Sequence, residues 1–458
     1  MASTIWQVEA SVTVVATIRQ WATATPKSTA FVGPTGAELV SYGNLIAAVD
    51  NKTQEFALVG ITSGDRVLLE MVPNVDHVVI LLALWSCGAT VVPVRAGETQ
   101  DAQASLAEAL EARFCLRNSK LETRGSGRIH HDRGDVLLVM TSGSTGAPKA
   151  VRHTHASVLA GCAMVAEAWD WRSDDELILA LPLTHVHGLI IGLIGSLLTG
   201  ARIRMFQSFD PPQIAQAALT GATMFFGVPT MYHRLVEEGR EGALSHLRLC
   251  VSGSAPLDPT LAAKLAAAEV SLLERYGMTE TLLTLTQSLH EQRRIGWVGE
   301  PFAGVEINID EDGQLLVKTP AASPGFVLPS EMELPVDQHG FFATGDLVER
   351  EGKSVRIAGR RSDLIITGGV NVFPAEVEQV LVQFHGISEV AVAGRPSAKW
   401  GEEVVAFIVA TKPDLDLNDV EDFARQNLRP AARPKRYVIV DEFPRTELGK
   451  VRRRDLKG

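Results

Sequence analysis

Between Met140 and Lys149 the chain reads Met-Thr-Ser-Gly-Ser-Thr-Gly-Ala-Pro-Lys, which gathers hydroxyls, two glycines and a cation in one short segment. Gly143 and Gly146 let backbone N–H groups turn toward an anion. Thr141, Ser142, Ser144 and Thr145 add hydroxyl donors, and Lys149 adds a point charge. The set suits a phosphate cradle, although it is not a Walker A loop, because the GxxxxGK[ST] spacing is absent. Taken alone, a Ser/Thr/Gly-rich turn is as often only a turn. Four further groups carry chemistry: Glu274-Arg-Tyr-Gly-Met-Thr-Glu-Thr281, Thr344-Gly-Asp346, Gly359-Arg360 and Pro444-Arg-Thr-Glu-Leu-Gly-Lys450. Each again has a bland explanation when isolated, with Glu280 a surface carboxylate, Asp346 a turn residue and Tyr276 core packing. His185 and His187 form an HxH pair, but no further ligands stand at a suitable spacing, so a metal site is the weaker reading.

The elements that must position these groups follow from periodicity and caps. An apolar run (RVLLEM from Arg66), an Asn74 cap, a helical stretch ending at Gly88 and a second run (ATVVPV) read as a βαβ unit. The alternation continues through VLLVM and a helix after His153, ELILAL, ARIRMF, a helix opened by Asp210-Pro211-Pro212, ATMFFG and a helix from about Pro229. It closes with LRLCVS, a helix from Asp258, and SLLERYG. Repeated β and α elements predict a mostly parallel sheet covered on both faces, with the phosphate-cradle segment following a buried strand and preceding a helix. Leu121 to Asp135 reads as a mobile connector. After about Leu315 short alternating runs suit a small antiparallel region, and a last βα pattern runs from Asp363 to the end.

At 458 residues there is room for about three folding units and a sizeable core. Apolar residues at 46% and charged residues at 21% exclude disorder and low complexity. The net charge of −11 disfavours nucleic acid as a partner. Cys87, Cys115, Cys162 and Cys250 lack CxxC spacing, which fits free thiols in a reducing compartment. Neither a secretion signal nor an unbroken membrane-length apolar run is visible, so the expectation is a soluble, cytoplasmic protein with no membrane partner.

The five motifs, in this order, resemble the adenylate-forming superfamily of acyl-CoA synthetases, luciferases and peptide-synthetase adenylation domains, over about Gly60 to Lys450. Within it, Leu181-Pro-Leu-Thr-His-Val-His-Gly-Leu189, Gly227-Val-Pro-Thr-Met-Tyr-His-Arg-Leu235 and Ser252-Gly-Ser-Ala-Pro-Leu257 are most similar to malonyl-CoA synthetases. The resemblance implies an α/β fold: a large N-terminal domain of mostly parallel sheets covered by helices, residues 1–361, and a small α+β lid, residues 362–458. It implies an ATP-dependent acid:CoA ligase that adenylates a small carboxylic acid, malonate or a related dicarboxylate, with ATP, Mg²⁺ and CoA as cofactors. The alternatives are an adenylating enzyme that passes the acyl group to a carrier-protein thiol, an amine or another nucleophile, and a non-catalytic nucleotide-binding relative.

Residue roles carry over by motif. The Thr141 to Lys149 loop would hold the β- and γ-phosphates. Thr279 and Glu280 would hold the α-phosphate and Mg²⁺, which prefers a carboxylate with phosphate oxygens. Tyr276, within the nucleotide-binding run Glu274, Arg275, Tyr276 and Gly277, would flank adenine with the turn Gly253, Ser254, Ala255 and Pro256. Asp346 would accept from the ribose hydroxyls, with Arg360 beside it. Lys450 would be the catalytic cation, and Gly368 and Gly369 would line the path of the CoA thiol. His185 would stand at the mouth of the acyl pocket, with His187, Ser252 and Met278 on the substrate and Arg234 forking a distal carboxylate. The chain departs from the pattern at Ala150, at Thr184 in place of an aromatic residue, at Leu282-Leu283 in a usually polar run, at Ser362, and in the shortened stretch from Thr319 to Gln338.

Overall fold

A computed structural model describes residues 12–457, apart from 118–119, 125–128, 131–133, 143–147, 329, 413–414 and 446–450. Strand Arg66–Met71 is buried along its whole length, as a continuous apolar run between helical layers must be. Asn74 then opens helix Val75–Ser86, its side chain accepting the His77 N–H at 2.9 Å. Gly88, at φ +75°, ends the helical unit, and strand Thr90–Arg95 returns parallel to the first. Asp210 and Asp258 cap helices Pro211–Leu219 and Pro259–Ala267 in the same way, each with proline in the first turn, where no N–H is missed.

Two large sheets result. The first runs in the order Glu300–Pro301, Leu282–Thr286, Leu272–Met278, Leu249–Ser252, Met224–Gly227, Glu176–Leu179, Arg202–Met205, Thr29–Val32, Glu38–Ser41. Its pairing is parallel from Leu272–Met278 to Thr29–Val32 and antiparallel at both edges. The second has Phe114–Arg117, Arg66–Met71, Thr90–Arg95 and Asp135–Ser142 parallel at its centre, with antiparallel strands outside them. One apolar cluster joins both sheets through the helices between them. The apolar stretch Gly188 to Ala201 becomes a buried π-helix, His187–Ile194, continued by Gly195–Thr199. Strands Glu306–Ile309, Gln314–Lys318, Phe342–Glu351 and Ser354–Arg360 form the expected antiparallel region. A single turn, Arg361–Asp363, leads into a C-terminal five-stranded sheet with its own core around Val392, Val404 and Ala406.

Two expectations are corrected. The phosphate-cradle segment does not lead into a helix. It joins strands Asp135–Ser142 and Pro148–Thr154, paired antiparallel with Thr141 opposite Lys149, and the helix begins only at His155, behind a Thr154/Ser157 capping box. The connector from Leu121 is a strand at its start, Lys120–Thr123, paired with Phe114–Arg117, while its residues 125–128 and 131–133 lie outside the described residues. All four cysteines are unpaired. Among the described residues no helix is long and apolar enough to cross a membrane.

Candidate active site

The end of strand Leu272–Met278 and the antiparallel region bring three motifs together. Tyr276 donates its hydroxyl to Asp346 Oδ2 at 2.5 Å, and Arg360 Nε donates to Asp346 Oδ1 at 3.1 Å. Asp346 and Arg360 are direct partners across strands Phe342–Glu351 and Ser354–Arg360, so the pair is built into the register. Burial, then the Asp346 carboxylate, hold the Tyr276 phenol far above its ordinary pKa, which keeps it a neutral donor. Burial also raises Glu280, against the opposing charges of Arg360 and Lys149. Lys149, Tyr276, Glu280, Asp346 and Arg360 thus share one electrostatic neighbourhood, although they come from distant segments. Gly143, Ser144, Thr145, Gly146 and Lys450 lie outside the described residues.

The Thr279–Glu280 backbone is pinned from two sides. Ser323 N–H donates to the Glu280 carbonyl at 2.7 Å, and His153 Nε2 faces the Thr279 carbonyl at 2.9 Å. A carbonyl only accepts, so Nε2 carries the proton and Nδ1 is left to face Ser157 Oγ at 3.2 Å. Burial pushes His153 down to about 4, which keeps it neutral. His153 was not among the expected site residues; a histidine inside an otherwise strand-like run directly before a helix cap was the available signal.

On the opposite face of strand Leu272–Met278 lies a second neighbourhood. His187 opens the π-helix, is 2% exposed, and stacks on Phe226 with centroids 6.0 Å apart. Trp169 and Trp171 meet the same Phe226 edge-on. Neither ring nitrogen of His187 has a hydrogen-bond partner, and burial with the nearby Arg275 charge drives its pKa far down. Arg275 is itself only 4% exposed, and burial lowers it to about 9. Its Nη2 donates to Ser254 Oγ at 3.2 Å, while its Nε has no partner. A Cβ on Gly253 would collide with this guanidinium, and Ser254 sits at φ +72°, where L residues are strained. The Ser252 hydroxyl beside them is buried and unpartnered. Ala255 and the exposed Pro256 complete the turn.

A cleft of about 390 Å³ runs past Arg95, Thr184, Phe209, Val228, Met231 and Arg234. Arg234, on helix Pro229–Glu237, is exposed, its guanidinium 5.2 Å from the Phe209 ring centre. No carboxylate pairs with it among the described residues. His185 is half-buried, one turn before Leu189, whose N–H it receives at 2.8 Å. Met278 packs at the edge of the apolar cluster of Val151 and Phe326.

Other expected residues serve the framework. The Glu274 carboxylate accepts the Gly296 N–H at 2.8 Å, and burial pushes it up to about 7. Gly277 passes so close to the backbone of Leu282 and Leu283 that a Cβ has no room. Gly368 and Gly369, at φ +58° and +78°, form the exposed two-residue turn between strands Ile365–Thr367 and Val370–Val372, a conformation that requires positive φ at both positions. No group of three or more metal-ligating side chains occurs among the described residues. The half-buried Glu280 carboxylate suits a Mg²⁺ that would take its remaining ligands from phosphate and water.

The fold is shared with enzymes solved with ATP or an acyl-adenylate bound. A sequence profile of the AMP-binding enzyme family matches residues 18–137 and 129–327, and its C-terminal domain profile matches 376–450. The chain belongs to that family and is an AMP-forming acid–CoA ligase, using ATP and CoA. It is 29% identical to the malonate–CoA ligase of Arabidopsis thaliana, over 89% of this chain and 80% of that protein. The crystal structure of ATP-bound MatB from Rhodopseudomonas palustris superposes with a TM-score of 0.87 at 28% identity, over 97% of this chain and 98% of that one. The o-succinylbenzoate CoA synthetase (MenE) of Bacillus subtilis, solved with the acyl-adenylate OSB-AMP, gives 0.86 at 25% identity, over 96% and 98%.

Proposed function

We propose that the protein joins a short dicarboxylic acid of the malonate class to CoA, in two half-reactions separated by a rotation of the segment beyond residue 361. The supporting observation is the cleft whose wall presents Arg234 with no carboxylate partner among the described residues. An exposed guanidinium there attracts an acid that carries a second carboxylate. The malonate-class relatives point the same way.

In the first half-reaction a substrate carboxylate oxygen attacks the α-phosphorus of ATP, and pyrophosphate leaves. Asp346 accepts from the ribose hydroxyls, with Arg360 and Tyr276 holding it in place. Lys149 and the preceding loop bind the outer phosphates. Glu280, on a backbone held by His153 and Ser323, would hold a Mg²⁺, which would supply neutralisation of phosphate charge. Lys450 stabilises the charge that develops at the transferring centre. In the second, the segment rotates, Lys450 withdraws, and the Gly368-Gly369 turn comes beside the path of the CoA thiol. The thiolate sulfur attacks the acyl carbonyl and AMP leaves.

A panel of acids assayed for pyrophosphate release and for acyl-CoA by mass spectrometry tests this reading. Malonyl-CoA or methylmalonyl-CoA as the main product is expected. Pyrophosphate release without acyl-CoA would move the acceptor to a carrier-protein thiol or an amine, and preference for a monoacid would overturn the dicarboxylate assignment.

A further inference from the structure

Resting on that reading and deepening it, we propose that the receptor for the distal carboxylate is Arg275, with His187 beside it, and that Arg234 is an outer guide. Arg275 is 4% exposed, makes one hydrogen bond, to Ser254, and has no carboxylate partner among the described residues. Its sequence neighbour Glu274 points to the other face of the strand and is engaged by Gly296. A buried cation left unpaired costs several kcal/mol, so a protein that keeps one has an anion to complete it. His187 adds two unpartnered ring nitrogens at 2% exposure, fixed in place by Phe226.

The surroundings are shaped around the guanidinium. Gly253 stays bare so that it fits, and Ser254 adopts a strained backbone while offering it a hydroxyl. The group stands at the C-terminal ends of the parallel strands Met224–Gly227, Leu249–Ser252 and Leu272–Met278, where an open α/β sheet presents its ligand.

Exposure decides between the two arginines. When a monoacid binds, Arg234 keeps its water and little is lost, because an exposed ion pair is worth ~0–1 kcal/mol. Arg275 is almost closed off from bulk solvent, so an acid without a second carboxylate leaves an apolar end against a poorly solvated charge. Arg275 therefore discriminates strongly and Arg234 weakly.

The test compares kcat/KM for pyrophosphate release with malonate and with propionate, in wild type, Arg275→Met, Arg275→Lys and Arg234→Met, together with the Tm of each unliganded protein. Wild type should favour malonate by ~10²-fold or more. Arg275→Met should bring the ratio to about one or below, by losing malonate and gaining propionate, with no fall in Tm, since the unpaired charge is gone. Arg275→Lys should retain part of the preference. Arg234→Met should lower malonate turnover by less than about tenfold and keep the preference. If Arg275→Met fails to fold, Arg275→Lys and His187→Asn carry the same readout, each expected to lower the ratio. An unchanged ratio in the Arg275 variants, equal losses for both acids with a lower Tm, or a preference abolished only by Arg234→Met would overturn the inference and leave the dicarboxylate reading standing. A wild-type preference for propionate would overturn both.

Discussion

Replacing Asp346 by asparagine removes a charge and almost no volume, which isolates the contribution of that carboxylate. The residue is 9% exposed, and its carboxylate already accepts from Tyr276 at 2.5 Å and Arg360 at 3.1 Å. An asparagine offers one accepting oxygen and turns an NH₂ toward a neighbour that is itself a donor. If the ribose hydroxyls bind here, two charge-assisted hydrogen bonds are weakened, each worth ~1.5–3 kcal/mol. Taking ~3 kcal/mol as the lower bound, affinity for a non-hydrolysable ATP analogue should fall by about 10²-fold. Calorimetric titration measures the Kd directly, and the KM for ATP should rise in parallel while the KM for the acid moves less than about threefold. Arg360→Met should lose less, and the double variant should lose less than the sum, because the two side chains share one interaction. An unchanged analogue Kd together with a lower Tm would refute the reasoning and reduce Asp346 to a latch between Tyr276 and Arg360.

Lys450→Ala should slow pyrophosphate release by ~10²–10³ while thiolation of a synthetic acyl adenylate survives; equal losses in both steps would make Lys450 structural. Gly369→Trp should do the reverse, since the position opens onto free space and its φ of +78° confines the added strain to ~1–2 kcal/mol in an exposed turn. Acyl-CoA formation at the wild-type rate by that variant would remove the turn from the thiol's path. Burial pushes Glu274 up to about 7 from 4.5, so the folded state holds a proton that the unfolded state has lost between these values. Wild type should therefore lose ~2–3 kcal/mol of stability relative to Glu274→Gln between about pH 4.5 and 7, measured by urea unfolding. A gap that moves the other way contradicts the assigned cause.

The sheet and helix elements were legible because local signals and burial agree. RVLLEM, the Asn74 cap and Gly88 fall at the ends of real elements, as do Asp210-Pro211 and Asp258. The strand Pro148–Thr154 was hidden by its proline and by the helix directly behind it; only the pairing with Asp135–Ser142 reveals it. The convergence of Tyr276, Asp346 and Arg360 could be named only through family resemblance, since no spacing in the chain relates residue 276 to residue 346. The direction of Arg275 was legible in principle, because adjacent strand residues face opposite ways, but that it is buried with no carboxylate partner among the described residues is a property of packing. The partner of His153 was hidden for the same reason: it is the carbonyl of Thr279, more than a hundred positions away.

In the proposed reaction order a short dicarboxylate is adenylated first and transferred to CoA second. A rapid-quench experiment with enzyme, ATP and malonate, omitting CoA, tests it most directly. One equivalent of pyrophosphate and of enzyme-bound malonyl adenylate should form, with CoA then converting the adenylate to malonyl-CoA and AMP. Propionate at the same concentration should yield its adenylate at least about 10²-fold more slowly. Pyrophosphate formed only after CoA is added, or a propionyl adenylate formed as fast as the malonyl one, would contradict the account.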